Sequence, residues 1–594
     1  MAAIESRWSA PIPNCSLQMW IFGTASRPIP DRVAFVNAAN PSDSLTLRDY
    51  RNLSKRVALG LLEEGLKPGD RVFILSPNSV YFPPLFLGVL MAGGIVTGAG
   101  PGARSGEIKH QLKDSGASFI FVCQNPPPVF KIVFEAAKEV GVPTNRIFAF
   151  GGTGDRPISE IARSDLSRDQ SKTPTSVPTR HWTELLTVPP EDAELWHWPE
   201  PENPKETTCC LNYSSGTTGL PKGVEISHYS YVANGVGVTH LIRLRPDHEA
   251  RLKKDRALAF LPFYHAYGQT YFISILPFLG IPVYVMSSWS LPSMLEYIQK
   301  FRITILPAVP YVLTEMVNKV DLVKKYNISS LDSVGSGAAP LPKGTHEATE
   351  HLLQANDPNF RVRQGWGMTE LTCTAMAWDP NSTMGYSTGV GEVAPNCKAK
   401  LMSLDGKTPI TTPGTRGELW VSGPTLMRGY WRNKRATDDT IVVDADGTRW
   451  LKTGDIAEVD RFGPGAIFFV VDRIKELIKV RGNQVAPAEL EGVLVQHPDI
   501  DDAGVIGVPK KNDECPRAYI VPRPGSGLTE KEVHRWIQSK LSPHKWLTGG
   551  VRFVDEIPRN KVRFAEYIKL TFQTNSTCYI IVWQDCPQPV ERKG

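Results

Sequence analysis

The chain has 594 residues, of which 41% are hydrophobic, 9% aromatic and 21% charged. That composition excludes a mainly disordered, collagen-like or coiled-coil chain, and the length allows more than one domain around a large buried core. With 66 basic and 61 acidic residues the net charge is only +5, so total charge gives no reason to expect a nucleic-acid partner. Nine cysteines in so long a chain fit free thiols of a reducing compartment, and their spacing matches no metal site.

The first residues lack a basic start followed by an apolar block, and Trp8 and Pro11-Ile12-Pro13 interrupt any helix, so no secretory leader is expected. Two stretches, 79–102 and 257–295, carry no charge apart from neutral His265. Prolines and glycines such as Pro83-Pro84, Gly93-Gly94, Pro262 and Pro277 break both. They predict buried helices and strands of an α/β core, with no membrane span.

In the first 150 residues, apolar runs alternate with helical patterns. Arg71 to Leu75 reads as a strand, Ser105 to Asp114 as a helix and Phe119 to Val122 as another strand, which argues for a parallel sheet covered on both faces. Between about 151 and 204, Gly, Asp, Ser, Thr and Pro dominate, and a loop-rich surface insertion is expected. Alternation resumes at Thr207. The strand-like run Ala466 to Val471 precedes the polar break Asp472-Arg473-Ile474-Lys475, so the domains are expected at 1–471 and 472–560. Within the second, Leu477 to Val485 reads as a hairpin around Gly482-Asn483. Pro487 opens a helix with Leu490, Val493 and Leu494 on its apolar stripe.

The segment Tyr213-Ser214-Ser215-Gly216-Thr217-Thr218-Gly219-Leu220-Pro221-Lys222-Gly223 joins two strand-like runs. Its glycines let backbone N–H groups turn toward one point, its hydroxyls add donors, and Lys222 adds positive charge. Together they suit a polyphosphate. Walker-type loops place Gly-Lys-Ser/Thr at the opening of a helix, which this segment does not.

This segment resembles the phosphate loop of the adenylate-forming superfamily, and further motifs follow in order. Leu261 to Gly268 resembles the family's substrate gate and Gly335-Ser336-Gly337-Ala338-Ala339-Pro340-Leu341 its adenine-binding turn. Gln364-Gly365-Trp366-Gly367-Met368-Thr369-Glu370 resembles its central nucleotide motif, with Trp366 where Tyr is usual. Trp450 to Asp455 resembles the ribose motif, and Val471 to Glu491 the hinge and the start of the lid. The likeness spans about residues 15–560, and the nearest subgroup is the 4-coumarate–CoA ligase-like acyl-CoA ligases.

The resemblance implies a large multi-sheet α/β domain with a small mobile α+β lid. It also implies ATP, Mg²⁺ and coenzyme A as cofactor and co-substrates. The phosphate loop and Lys222 would hold the β- and γ-phosphates, Thr369 would contact the α-phosphate and Glu370 would ligate Mg²⁺. Ala338, Gln364 and Gly365 would bind the nucleotide, Asp455 its ribose, and Arg473 would also reach it. His265 would gate the acyl pocket, with Tyr267, Tyr271, Ala308, Gly337, Cys373 and Thr374 as further pocket positions. Lys475 matches the hinge. Lys479, Gly482 and Gln484 would serve thioester formation, with Arg481 where a coenzyme A-contacting Lys is common.

The family's closing Ile-Pro-x-x-x-x-Gly-Lys is broken here. After Glu556-Ile557-Pro558-Arg559-Asn560, Phe564 stands in the lysine's place and Lys561 lies three residues early. Nothing from Val562 to Gly594 resembles the family. Lys-Val-Arg at 561–563 can be encoded around a splice-donor sequence, so the tail, 561–594, is read as a translated intron, with a genuine diverged tail that adds a strand as the alternative. The chain's Glu591-Arg592-Lys593-Gly594 end is no peroxisomal signal, leaving the cytosol as the expected compartment and the peroxisome as the alternative. The expected activity is ATP-dependent ligation of an aromatic or medium-chain carboxylic acid to coenzyme A. Delivery to a carrier protein, a luciferase activity and a catalytically impaired binding protein are the alternatives.

Overall fold

A computed structural model of the chain describes residues 3–557, apart from 104, 125–126, 153–155, 167–178, 215–220, 355–357, 384–387, 474–477, 481–482, 511–512 and 542. The chain divides into two compact units, Met1–Lys475 and Glu476–Gly594. The loop residues Ser215, Gly216, Thr217, Thr218 and Gly219, the hinge residue Lys475, Arg481, Gly482 and the tail lie outside the described residues.

The described residues of unit one hold two largely parallel sheets, a larger antiparallel sheet and a small antiparallel sheet of Trp366–Gly367, Thr374–Ala377 and Glu392–Val393. Six parallel strands of the first sheet run from Thr208–Ser214 through Ile95–Ala99, Arg71–Leu75, Phe119–Cys123 and Ile147–Phe150 to Arg180–His181. Lys222–Ser227 adds antiparallel to Thr208–Ser214, and Gly429–Tyr430 antiparallel to that. The second sheet places the parallel strands Val362–Gln364, Ser333–Ser336, Ile305–Ala308, Ala257–Ala259, Val283–Val285 and Val33–Asn37 side by side. The third is antiparallel and includes Gly417–Ser422, Arg449–Val459 and Phe468–Arg473. Apolar runs bounded by turn residues form these strands, and their two faces bury separate clusters. Ala257 and Ala259 enter the main core, while Leu258, Leu306 and Val334 enter a second core.

The uncharged stretches are buried as expected. The helix Phe82–Met91 is buried on every side, with Pro83 and Pro84 in its first turn, where missing N–H groups cost nothing. Among the described residues no helix is long and apolar enough to cross a membrane. Residues 266–279 form one continuous helical run whose middle, Gln269–Ile275, is a π-helix. Pro277 cannot donate to the carbonyl of Ile273, and the buried Tyr50 hydroxyl takes that acceptor at 3.2 Å.

The segment 151–204, expected as a loop-rich surface insertion, is instead bound into the core where it is described. Arg180–His181 joins the first sheet, and the Trp182 side chain is fully buried. Three buried cations on the helix Leu47–Glu63 hold the segment. Arg51 pairs with Glu194, Lys55 Nζ donates to the Glu194 carbonyl at 2.7 Å, and Arg56 donates to the carbonyls of Ile161 and Val188, each at 2.9 Å. Burial lowers the Lys55 pKa to about 8. A Gly/Ser/Pro-rich composition signals irregular backbone, and here the carbonyls of that backbone are satisfied by cations from another helix.

In unit two, Ile478–Val480 and Asn483–Val485 form an antiparallel hairpin with Lys479 opposite Gln484. The helix Pro487–Leu494 follows, then a sheet of Ile500–Lys510, Asp513–Pro522 and Val551–Phe553, and the helix Glu530–Lys540. Ile478, Leu490, Leu494, Val505, Ile520 and Ile537 share its core.

Candidate active site

Several of the sequence-derived positions lie at or just beyond the carboxyl ends of parallel strands, where open α/β sheets leave a crevice. Ser214 ends one strand and Lys222 begins its antiparallel neighbour, with the two residues in direct register. The second sheet contributes the turns after Ala308, Ser336 and Gln364.

Glu370 lies in a short 3-10 turn, Thr369–Leu371, and is nearly fully buried. Its Oε1 accepts the Ser214 hydroxyl and the Tyr430 hydroxyl, each at 3.0 Å. The Lys222 ammonium sits 4.8 Å from the centroid of the same tyrosine ring. Burial and the neighbouring Glu370 carboxylate hold the Tyr430 phenol well above its ordinary pKa. Thr369, a half-buried neighbour, opens this turn. Tyr430 carries no motif signal of the kind that marks the loop; only its strand pairing brings it here.

The second cluster centres on Asp455, a strand residue paired in register with Arg473. Asp455 Oδ2 accepts the Trp366 indole N–H at 2.9 Å, and the Arg473 guanidinium lies 3.0 Å from Oδ1. Trp366, the departure from Tyr, thus has its own polar partner. Gln364, expected among the nucleotide-binding positions, ends its strand with the side chain turned to the neighbouring turn. Its Oε1 accepts the Leu341 N–H at 3.0 Å and so braces the turn that follows Ser336. In that turn Ala338 has φ +73°, a left-handed conformation that costs a residue with a Cβ, and Gly365 N–H donates to the Ser336 carbonyl at 2.8 Å.

The proposed pocket positions divide. Tyr267 and Tyr271 meet edge to face, centroids 5.1 Å apart, and the Tyr271 hydroxyl lies 3.1 Å from Thr374 Oγ1. Thr374 Oγ1 lies 3.7 Å from Cys373 Sγ, and burial pushes that thiol up to about 11. A Cβ on Gly337 would meet the Tyr267 ring at 3.5 Å, so the bare glycine leaves the ring face open. At Gly367 a Cβ would lie 1.7 Å from the Cys373 carbonyl, so only glycine lets the nucleotide motif pass the pocket strand. Ala308 does not join them through its side chain. Its methyl is buried in the second core, and only its carbonyl takes part, accepting Gly337 N–H at 3.2 Å.

His265 Nδ1 accepts the Tyr267 N–H at 3.3 Å, which leaves the ring proton on Nε2. Solvent reaches the ring, yet the protein packed around it lowers its pKa by burial. Behind the pocket, Asn212, Tyr231 and Gln269 form a buried hydrogen-bonded triangle that fixes the π-helix to the Thr208–Ser214 strand.

One helix, Ser105–Ser115, holds both stems of the phosphate loop. His110 Nε2 lies 2.7 Å from the Pro221 carbonyl, and Tyr213 donates to Asp114 at 2.6 Å. Sequence reasoning missed His110 and Asp114, since neither belongs to a contiguous motif.

Mg²⁺ prefers hard oxygen ligands and keeps waters and phosphates around it. A single buried carboxylate beside two hydroxyls fits a metal that arrives with a nucleotide. Among the described residues no cluster of three His, Cys, Asp or Glu would hold a metal by itself. The side chains of Lys479 and Gln484 lie outside the description.

Residues 23–431 match the AMP-binding enzyme family, and residues 489–562 match the AMP-binding enzyme C-terminal domain. The chain belongs to the AMP-binding enzyme family. It is 36% identical over 561 residues to phenylacetyl-CoA ligase epaB of Aspergillus niger, covering 94% of this chain and 96% of that protein. It is 34% identical to peroxisomal OPC-8:0-CoA ligase 1 of Arabidopsis thaliana, covering 92% and 91%. ATP-bound MatB from Rhodopseudomonas palustris shares the fold, with TM-score 0.75, 23% identity and coverage of 93% and 99%. The anthranilate CoA ligase AuaEII in complex with anthranoyl-AMP does so with TM-score 0.77, 21% identity and coverage of 95% and 99%.

Proposed function

We propose that the protein is an AMP-forming acid–CoA ligase that activates an aromatic or medium-chain carboxylic acid with ATP. A carboxylate is a poor acyl donor, because its leaving group would be oxide. Attack of its oxygen on the α-phosphorus forms the acyl-adenylate and expels pyrophosphate. The coenzyme A thiolate then attacks the acyl carbon and AMP leaves. The observation that carries this reading is the meeting of Glu370, Ser214, Tyr430 and Lys222 at the stems of the phosphate loop.

The chain's own residues serve the first step by positioning and charge. Lys222 offsets phosphate charge, Thr369 donates toward the α-phosphate, and Asp455 accepts the ribose hydroxyls while Arg473 and Trp366 hold its carboxylate. A bound Mg²⁺ supplies further neutralisation of the triphosphate, with Glu370 as its protein ligand. His265, with its proton on Nε2, borders the acyl carboxylate. Tyr267, Tyr271, Gly337, Cys373 and Thr374 line the acyl pocket. The names of the phenylacetyl- and OPC-8:0-CoA ligases support the acid–CoA chemistry, and the difference between their acids is why the reading stops at the acid class.

A panel of carboxylic acids with ATP, Mg²⁺ and coenzyme A, read for AMP and thioester, tests the assignment. Pyrophosphate release without thioester from any acid would move the second step to another acceptor. No pyrophosphate release from any acid would exclude the reading. Within the cell the reading takes the cytosol as the compartment and the peroxisome as the alternative; the free thiols among the described cysteines fit either. Imaging of tagged protein beside a peroxisomal marker checks that placement.

A further inference from the structure

Among the described residues Tyr430 is the one side chain with a recorded contact to both Glu370 and Lys222 of the candidate phosphate site. Its hydroxyl donates to Glu370 Oε1 at 3.0 Å, and its ring face lies under the Lys222 ammonium at 4.8 Å from the centroid. Its own backbone is fixed from two sides. The strand Gly429–Tyr430 pairs with Lys222–Ser227, placing Tyr430 opposite Val224, and its N–H donates to Thr437 Oγ1 at 2.9 Å. Glu370 is tied to the same stretch through its carbonyl, which accepts the Met427 N–H at 2.9 Å. Among the described residues Lys222 forms no ion pair, although the ring it rests on holds the buried Glu370 carboxylate at its hydroxyl end.

An ammonium and a carboxylate at one site attract each other, and a pair formed between them would withdraw both from an incoming nucleotide. An aromatic face holds a cation without neutralising it. A phenolic donor on one carboxylate oxygen fixes that group's orientation and leaves the other oxygen for a metal. On the acid–CoA ligase reading, we propose that Tyr430 is a positioning residue that holds Glu370 and Lys222 apart and oriented before the magnesium nucleotide binds. The two functions reside in different parts of the side chain, the hydroxyl for the carboxylate and the ring for the ammonium.

Isothermal titration of the full-length protein with ATP, once in Mg²⁺ and once in EDTA, separates them. Tyr430→Phe keeps the ring and loses the hydroxyl. It is expected to weaken binding in Mg²⁺ by about tenfold and to leave binding in EDTA unchanged. Tyr430→Leu loses both and is expected to weaken binding in both conditions, by several-fold in EDTA. A merely structural tyrosine would lower both affinities together in Tyr430→Phe, along with the unfolding temperature. That outcome, or wild-type binding by Tyr430→Phe in Mg²⁺, would overturn the proposal while the ligase reading stood. Wild-type protein that binds no magnesium nucleotide at all would remove the ligase reading, and the proposal with it.

Discussion

The indole N–H of Trp366 donates to Asp455 across 89 positions of sequence, at 2.9 Å. Arg473 approaches the other oxygen of the same carboxylate at 3.0 Å, so the group expected to receive ribose is oriented from two directions. Asp455→Asn removes the charge that strengthens these bonds, and the ATP KM is expected to rise by about 10- to 100-fold. Trp366→Phe keeps the ring and loses one donor, and a rise of roughly fivefold is expected. Steady-state kinetics over an ATP series checks both, and an unchanged KM in Asp455→Asn would remove this residue from the nucleotide site.

Lys222 makes its one described side-chain contact with the Tyr430 ring. Lys222→Met should therefore leave the unfolding temperature near that of wild type and lower the rate of pyrophosphate release by about 10²- to 10³-fold. A large fall in unfolding temperature would indicate a structural lysine instead.

The hydrogen bond between Tyr271 and Thr374 joins the π-helix to the pocket strand 374–377. Tyr271→Gly deletes that bridge and the volume of a phenol. The ratio of kcat/KM for a longer acid over a shorter homologue is expected to rise by about tenfold or more. Measuring both acids on the same preparation guards against a general loss of activity.

His110 holds the Pro221 carbonyl at the end of the phosphate loop. His110→Ala leaves that carbonyl without its partner, and a rise of roughly fivefold in the ATP KM is expected, with kcat for the acid less affected. An equal change in kcat alone would argue against loop positioning.

Acid sensitivity follows from His228, whose Nδ1 accepts the Leu17 N–H at 3.2 Å and whose pKa burial lowers to about 4 from an ordinary 6.5. Between those values the unfolded chain binds a proton that the native chain does not. Stability from this residue is thus complete above pH 6.5 and is lost as pH falls toward 4, by about 3 kcal/mol. Urea unfolding from pH 7.5 to 4.5 should show a steeper decline in wild type than in His228→Asn, whose amide oxygen can still accept the Leu17 N–H.

The phosphate-loop stems, the Thr369-Glu370 turn and the strands on either side were readable because each is a contiguous pattern. Strand alternation, glycine spacing and hydroxyl density act over a few residues, and the backbone obeys them locally. The 151–204 segment misled for the same reason. Its composition describes its own irregular backbone, and nothing in it reports that Arg51, Lys55 and Arg56 of a distant helix satisfy its carbonyls. Ala308 was expected at the pocket from the resemblance, but which sheet face its methyl occupies depends on what packs there.

The order and chemistry of the motifs and the α/β class are thus written in the chain itself, because short-range propensity and residue type suffice for them, while the ligase reading follows from the likeness of those ordered motifs to a known family. Tyr430 between Glu370 and Lys222, Trp366 on Asp455 and His110 under the phosphate loop came only from the folded arrangement. Each joins residues far apart in the chain, and strand register, which no local pattern encodes, determines whether two such groups arrive within 3 Å or on opposite faces of a sheet.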